Sequence, residues 1–184
     1  MLTSRIFVIA FTIILVSSLV SLNASIASGD VTIQFEEAAP KDRFIIKNKS
    51  GCDLPSSELT IDLNGTPVGL FFDTAEGGIG ENVAQPLEVA KGSEFISAVP
   101  VLADGARVLQ LNFAFFPKNA QSILTVDIDD SIASGPRGVQ MIADGEFYGA
   151  KAALETNNGK QYVAKFNNSG FLSFALPKCS KASS

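Results

Sequence analysis

Acidic residues at the end of one predicted strand form the strongest candidate for a chemical site in this sequence. Asp127 and Asp129 alternate with Val126 and Ile128, so both carboxylates lie on one strand face, about 6–7 Å apart. Two charges at that spacing repel by about 2–2.5 kcal/mol at an effective dielectric of 20, and a divalent cation would reverse this repulsion. Calcium takes six to eight oxygen ligands, and Asp130 follows directly. The segment predicts a calcium site, with an ordinary solvated strand end as the alternative.

A glycine-rich loop over residues 73–82 carries further acids. Asp73 and Glu76 would join the calcium site if this loop and the acidic strand end meet at one end of the fold. The glycines at 77, 78 and 80 are not followed by the Lys-Ser/Thr pair of a phosphate-binding loop. We therefore interpret the loop as a source of carboxylate ligands rather than a nucleotide site.

Residue types that are missing exclude most catalytic chemistry. Histidine is absent from the whole chain, which excludes Ser-His-Asp and Cys-His catalysis and the usual His-containing zinc sites. An EF-hand is also excluded, because the sixth position counted from Asp127 is Ile132 where that loop requires glycine. The sequence predicts a protein that is not an enzyme. A hydrolase that uses carboxylates alone stays open as an alternative.

Short alternating segments separated by turn residues run through the chain from Val31 onward. Val31, Ile33 and Phe35, for example, fall on one face of a strand with polar residues between them. Nine to eleven such strands, with turn signals about every ten residues, predict an all-β fold: one antiparallel β-sandwich domain, jelly-roll-like. Residues 146–155 are ambiguous and are also compatible with a short helix.

Two pairs of neighbouring strands carry hairpin signals. Residues 109–115 and 124–128 flank a turn that contains Pro and Asn, both frequent turn formers. Residues 59–63 and 68–72 flank an Asn-Gly turn, the strongest short-range hairpin signal. We therefore expect the two strands of each pair to be hydrogen-bonded neighbours.

The first 27 residues predict a secretory signal peptide. Arg5 precedes an almost wholly apolar run over Ile6–Val20, and Ser25-Ile26-Ala27 offers small residues at a cleavage site. Residues 28–184 would then form the mature domain, secreted or at the cell surface, with the periplasm as an alternative. An uncleaved N-terminal anchor is the other interpretation. No other stretch is long and apolar enough to span a membrane.

Composition limits the kinds of partner. The formal net charge of −5 argues against nucleic acid and anionic lipid, which require clustered Lys or Arg. Fourteen Phe against two Tyr and no Trp indicate that the aromatic residues mostly fill a core. The same phenylalanines leave open a second interpretation, an exported protein that binds a small apolar ligand.

Two cysteines remain after signal cleavage, Cys52 and Cys179. An even number of cysteines in an exported protein predicts one disulfide between them. On the chain-entropy model such a long-range link contributes roughly 4–5 kcal/mol. Two free thiols are the alternative.

Four segments together resemble a known family. In chain order they read FEEAAPKDRFIIKN, LTIDLNG, GLFFDTAEGG and LTVDIDDS. They resemble exported bacterial proteins labelled aggregation factor core proteins, after the core protein of sponge aggregation factors. Those sponge factors are extracellular and mediate calcium-dependent, glycan-linked cell adhesion. The resemblance covers nearly the whole mature chain and implies a secreted or cell-surface β-protein in adhesion or aggregation, binding glycan or itself, with calcium as a cofactor.

Overall fold

The structure, a computed structural model, describes residues 31–80, 83–131 and 145–177. These ranges contain eleven strands and one 3-10 turn, Ser93–Phe95, but no α-helix. The strands are β1 (Val31–Glu36), β2 (Asp42–Asn48), β3 (Ser57–Asp62), β4 (Phe71–Asp73), β5 (Glu88–Lys91), β6 (Ile96–Ala98), β7 (Val108–Phe113), β8 (Gln121–Asp129), β9 (Lys151–Thr156), β10 (Gln161–Lys165) and β11 (Phe171–Phe174). The described part of residues 146–155 forms a turn and β9, so the alternative of a helix there is wrong.

Two antiparallel sheets pack against each other. The first sheet has the order β11-β1-β2-β8-β4, and β5 also pairs with β8. The second sheet has the order β10-β9-β3-β7-β6. This arrangement confirms the predicted single-domain antiparallel β-sandwich.

Alternating side chains of the two sheets form the core. Leu109, Leu111 and Phe113 point inward from β7, while Leu124 and Val126 point inward from β8, and all five are buried. Each such side chain contributes roughly 1.5–3 kcal/mol relative to an exposed position. Period-two alternation therefore marks the buried face of both strands, as the sequence predicts.

Both predicted hairpins are wrong, because each crosses from one sheet to the other. β7 lies in the second sheet and β8 in the first, and residues 114–120 connect them. In the same way β3 lies in the second sheet and β4 in the first. Alternation of apolar and polar residues specifies which face of a strand is buried. It does not specify the sheet, because strands of either sheet turn their apolar face to the same core.

The longest strand, β8, has different neighbours along its two edges. β2 pairs with residues 121–126 on one edge. On the other edge β5 pairs with residues 123–125 and β4 with residues 127–129. Because β4 and β5 occupy successive parts of this edge, the connection between them, residues 74–87, must leave the sheet beside Asp127.

Several predictions from the sequence concern residues outside the described ranges. These are the signal peptide over residues 1–27 and the cysteine Cys179, so the Cys52–Cys179 disulfide stays a prediction. Among the residues that the structure does describe, no helix has the length and hydrophobicity that a membrane span requires.

Candidate metal centre

Three aspartates converge where β4 pairs with β8. Asp73 lies directly opposite Asp127 in this antiparallel pair, and Asp129 follows two residues further along β8 on the same face. One carboxylate oxygen from each of the three lies within 4.8 Å of the others. We refer to Asp73, Asp127 and Asp129 as the acidic cluster.

The spacing of these oxygens suits a shared calcium ion. Calcium binds oxygen at 2.3–2.6 Å, so two oxygens on one ion lie at most about 5 Å apart. Without a cation, two full charges 4.8 Å apart repel by about 3–4 kcal/mol at an effective dielectric of 20. Three such pairs strongly oppose the simultaneous ionisation of all three groups unless positive charge compensates them.

The acidic cluster is buried although it lies on the outer face of its sheet. Asp73 is 0% exposed and Asp129 is 3% exposed, while Asp127 is half-buried. Neighbouring Val126 and Ile128 point to the opposite side, into the core. Burial on the outer face therefore requires a covering segment, and the described parts of the connection, 74–80 and 83–87, supply it through Gly80 and Gln85.

Asp104 holds this covering segment in place. Its Oδ1 accepts hydrogen bonds from the backbone N–H groups of Thr74 at 2.9 Å and Ala75 at 3.3 Å, and its Oδ2 accepts one from Ile79 at 3.1 Å. These bonds, with that from Thr74 the most important, hold the pKa of Asp104 below its usual range. An ionised side chain from a distant loop thus fixes the path of the chain over the acidic cluster.

Two glycines allow the covering segment to approach carboxylates closely. A Cβ atom at Gly80 would overlap the carboxylates of both Asp73 and Asp129. A Cβ atom at Gly78 would overlap the carboxylate of Asp104. The glycine-rich composition of this loop therefore serves packing against acidic side chains.

If the acidic cluster holds calcium, Gly80→Ala should weaken that binding at least tenfold, because the added methyl group must displace the carboxylates of Asp73 or Asp129. Calorimetric titration with calcium measures the change. The control is Gly159→Ala, where φ of 76° imposes backbone strain but no atom lies within 4 Å of the added Cβ. Loss of stability in both variants with equal calcium affinity would contradict a role for Gly80 at the centre.

A buried amide adjoins the acidic cluster. The Nε2 atom of Gln85 donates a hydrogen bond of 2.9 Å to Oδ2 of Asp127. Gln85 is only 5% exposed, and its Oε1 has no hydrogen-bond partner among the residues that the structure describes. A buried carbonyl oxygen without a partner costs about 1–3 kcal/mol. Because Oε1 can only accept, it calls for a donor or a cation at this position.

A cleft of about 290 Å³ opens beside the acidic cluster. Its walls are formed by the β1–β2 turn, the covering segment and the end of β8. The lining residues are Glu37, Ala38, Ala39, Pro40, Asp42, Val83, Gln85, Asp127, Ile128 and Asp129. All charged residues among them are acidic. The cleft therefore favours a cation, or a ligand that is bound through a cation.

Asp42 lies at the end of the cleft. Its side chain accepts a hydrogen bond from β8 at the point where β2 no longer pairs with that strand. β2 ends its pairing with β8 at Asp42, and the Asp42 Oδ2 accepts a hydrogen bond from the backbone N–H of Ile128 at 3.1 Å. Its Oδ1 accepts another from Ala38 at 3.1 Å. Burial, with a smaller effect from the charge of Asp127, raises the pKa of Asp42 to about 7 against the opposing effect of these two hydrogen bonds.

The structure brings together three of the five predicted ligands. Asp73, Asp127 and Asp129 form the acidic cluster, with Asp73 contributed by the neighbouring strand. Asp130 is buried but does not belong to that group, and Glu76 is exposed on the covering segment. Successive side chains of an extended segment point to opposite faces. Asp127 and Asp129 therefore share a face, and Asp130 does not share it.

Sequence reasoning missed Asp42, Gln85 and Asp104. Asp42 stands in an ordinary Pro-containing turn sequence, and Gln85 precedes a proline in a segment with weak strand signals. Asp104 begins an Asp-Gly turn, which suggests only turn formation. Local sequence contains no signal for these roles, because each depends on contacts with residues at least 25 positions away.

Comparisons with protein-family models, with curated proteins and with solved structures find no match to this chain. The resemblance to aggregation factor core proteins therefore stays a prediction from the sequence. The case for a function has to be made from the geometry of the acidic cluster and its cleft.

Proposed function

We propose that this protein is an exported, calcium-binding β-sandwich module that acts in adhesion or aggregation at the cell surface. The observation that carries the proposal is the convergence of Asp73, Asp127 and Asp129, with one oxygen from each within 4.8 Å. Gln85 supports it less directly, because its Nε2 donates to Asp127 and its buried Oε1 has no hydrogen-bond partner among the described residues. The three carboxylates offer three oxygens to one cation.

Calcium fits this set of ligands better than zinc or magnesium. Zinc in proteins is held mainly by His and Cys, and neither residue type contributes to the acidic cluster. Magnesium requires near-ideal octahedral geometry and retains most of its waters, so it is rarely enclosed by several protein carboxylates. Calcium accepts carboxylate and amide oxygens in flexible geometry and reaches six to eight ligands.

The cleft gives the calcium centre a binding role. Three carboxylate oxygens leave three to five positions of a calcium ion for water or for a ligand. A volume of about 290 Å³ is at the lower limit for a small-molecule site, so it suits one sugar residue of a longer chain. Neighbouring hydroxyl groups of a glycan are oxygen donors of the type that calcium prefers. This assignment includes no catalytic residue.

The test is glycan capture on an array with calcium and with chelator. We expect one calcium per chain by calorimetric titration, and glycan binding that chelation and Asp129→Asn both abolish. Asp62→Asn is the matched control, because Asp62 lies on the outer face of the other sheet. Glycan capture that persists in chelator, or the absence of calcium binding, would overturn the proposal.

A further inference from the structure

The cleft keeps an excess of negative charge even when one calcium ion occupies the acidic cluster. The ion has two positive charges, whereas the cluster has three carboxylates. Glu37, an exposed residue of the β1–β2 turn, adds a fourth carboxylate to the cleft. The four carboxylates and the ion together leave a formal charge of −2. Asp42 also lines the cleft, and its charge is not needed for this balance.

The basic residues next to the β1–β2 turn are paired outside the cleft. Lys41 Nζ lies 3.1 Å from Oε2 of Glu88 and donates a hydrogen bond of 2.8 Å to the carbonyl oxygen of Pro86. Arg43 Nη2 lies 3.1 Å from Oε2 of Glu36. The lining residues that the structure describes include neither of these two cations nor any other basic side chain. Further positive charge in the cleft therefore has to come from a ligand.

The walls of the cleft offer hydrogen-bond acceptors beside small apolar groups. Gln85 lines the cleft with only 5% of its surface exposed, and its Oε1 accepts no hydrogen bond from the residues that the structure describes. An ionised carboxylate such as that of Glu37 also only accepts. Ala38, Ala39 and Pro40 form a wall without bulky side chains. A complementary ligand therefore brings hydrogen-bond donors and positive charge on a small body.

We infer that the cleft selects glycans whose sugar residues carry a protonated amino group, an inference that rests on the calcium-dependent glycan binding proposed above. Hydroxyl groups of such a sugar can occupy open positions of the calcium ion, while its ammonium group faces Glu37. An ammonium group has three donors and no acceptor, so it complements carboxylate and amide oxygens. An N-acetylated amine is uncharged, and its carbonyl oxygen would meet further acceptors. A carboxylated or sulfated sugar would add negative charge to an excess of the same sign.

The test compares two tetrasaccharides of β-1,4-linked glucosamine, one with free amino groups and one fully N-acetylated. Both have the same length and linkage, so they differ only in the charge and hydrogen bonding of the amino group. Calorimetric titration of the calcium-loaded mature protein near pH 6, where the free amines are largely protonated, measures the two affinities. We expect the free-amine form to bind at least tenfold more tightly, because its charge enters a site of net negative charge. Higher ionic strength should reduce this preference.

Glu37→Gln separates recognition in the cleft from the general attraction of a cationic oligosaccharide to an acidic protein. It should weaken binding of the free-amine form by about twofold to fivefold, the range for one exposed charge pair, and affect the N-acetylated form less. Glu94→Gln is the matched control, because it makes the same change in net charge at an exposed position that does not line the cleft. This control should bind both tetrasaccharides as the wild type does.

Three results would overturn the inference and leave the proposed function intact if calcium-dependent capture of another glycan persists. They are failure of the free-amine form to bind, an affinity for the N-acetylated form that is equal or higher, and equal losses in Glu37→Gln and Glu94→Gln. A protein that binds neither calcium nor any glycan would overturn the proposed function and this inference together.

Discussion

Calcium at a hundredfold excess over its dissociation constant is expected to raise the melting temperature of the mature protein by about 5–11 °C. A ligand that binds only the folded state stabilises it by RT ln(1 + [L]/Kd), about 2.7 kcal/mol at this excess. For a domain of about 150 residues, 1 kcal/mol corresponds to roughly 2–4 °C. The shift should increase with calcium concentration, since the stabilisation follows mass action.

Replacement of one member of the acidic cluster should remove most of this shift. Asp73→Asn, Asp127→Asn or Asp129→Asn each retains the shape of the side chain but removes one charged ligand. In chelator these variants should be no less stable than the wild type, because each removes one of three mutually repelling carboxylates. Loss of the calcium effect without loss of intrinsic stability distinguishes a metal ligand from a structural carboxylate.

Glu76→Gln and Asp130→Asn complete the experiment. Both residues are predicted ligands from the sequence, but neither belongs to the group of three that the structure brings together. Glu76→Gln should retain the full shift, because Glu76 is exposed on the covering segment. Equal melting temperatures of the wild type in calcium and in chelator would exclude the calcium centre.

The sequence predicts which side chains face the core but not which strands are neighbours. Alternation in β7 and β8 identifies Leu111 and Leu124 as buried, and the structure confirms it. Turn residues near Pro117 suggest a hairpin, yet the chain there crosses between the sheets. Turn propensity specifies that the chain reverses, whereas pairing depends on which edge is available, and that is a property of the whole fold.

The candidate centre shows the same division between local and long-range information. Asp127 and Asp129 follow from strand periodicity alone, because residues two apart share a face. Their proximity to Asp73 depends on the register between β4 and β8, which no local pattern encodes. The role of Gln85 depends on a hydrogen bond across 42 positions. Composition therefore predicts an acidic site, while topology decides its members.

The stability of the calcium-free protein should fall as the pH rises from about 4 to 7, and Asp42 is the cause. The pKa of Asp42 is 3.8 in an unperturbed state and about 7 in the fold, chiefly because of burial. Between these values the folded protein binds more protons than the unfolded chain, so stability decreases with rising pH. The difference between the two pKa values corresponds to a loss of about 4 kcal/mol in the free energy of unfolding once the pH exceeds both values, since one pKa unit is 1.36 kcal/mol.

Asp42→Asn removes the charge and retains the shape of the side chain, but its amide nitrogen cannot accept, so one of the two hydrogen bonds from Ala38 and Ile128 is lost. We expect this loss to make the variant less stable by a pH-independent amount of about 1–3 kcal/mol. Relative to the variant, the wild type should lose up to about 4 kcal/mol of stability between pH 4 and pH 8.

Urea unfolding in chelator at a series of pH values measures the difference, and acids that do not interact with Asp42 contribute equally to both proteins. Glu94→Gln, an exchange at an exposed position of the 3-10 turn, is the control and should follow the wild-type profile. Parallel profiles for the wild type and Asp42→Asn would show that Asp42 is ionised in the fold throughout this range, and its carboxylate would then add a permanent negative charge to the cleft.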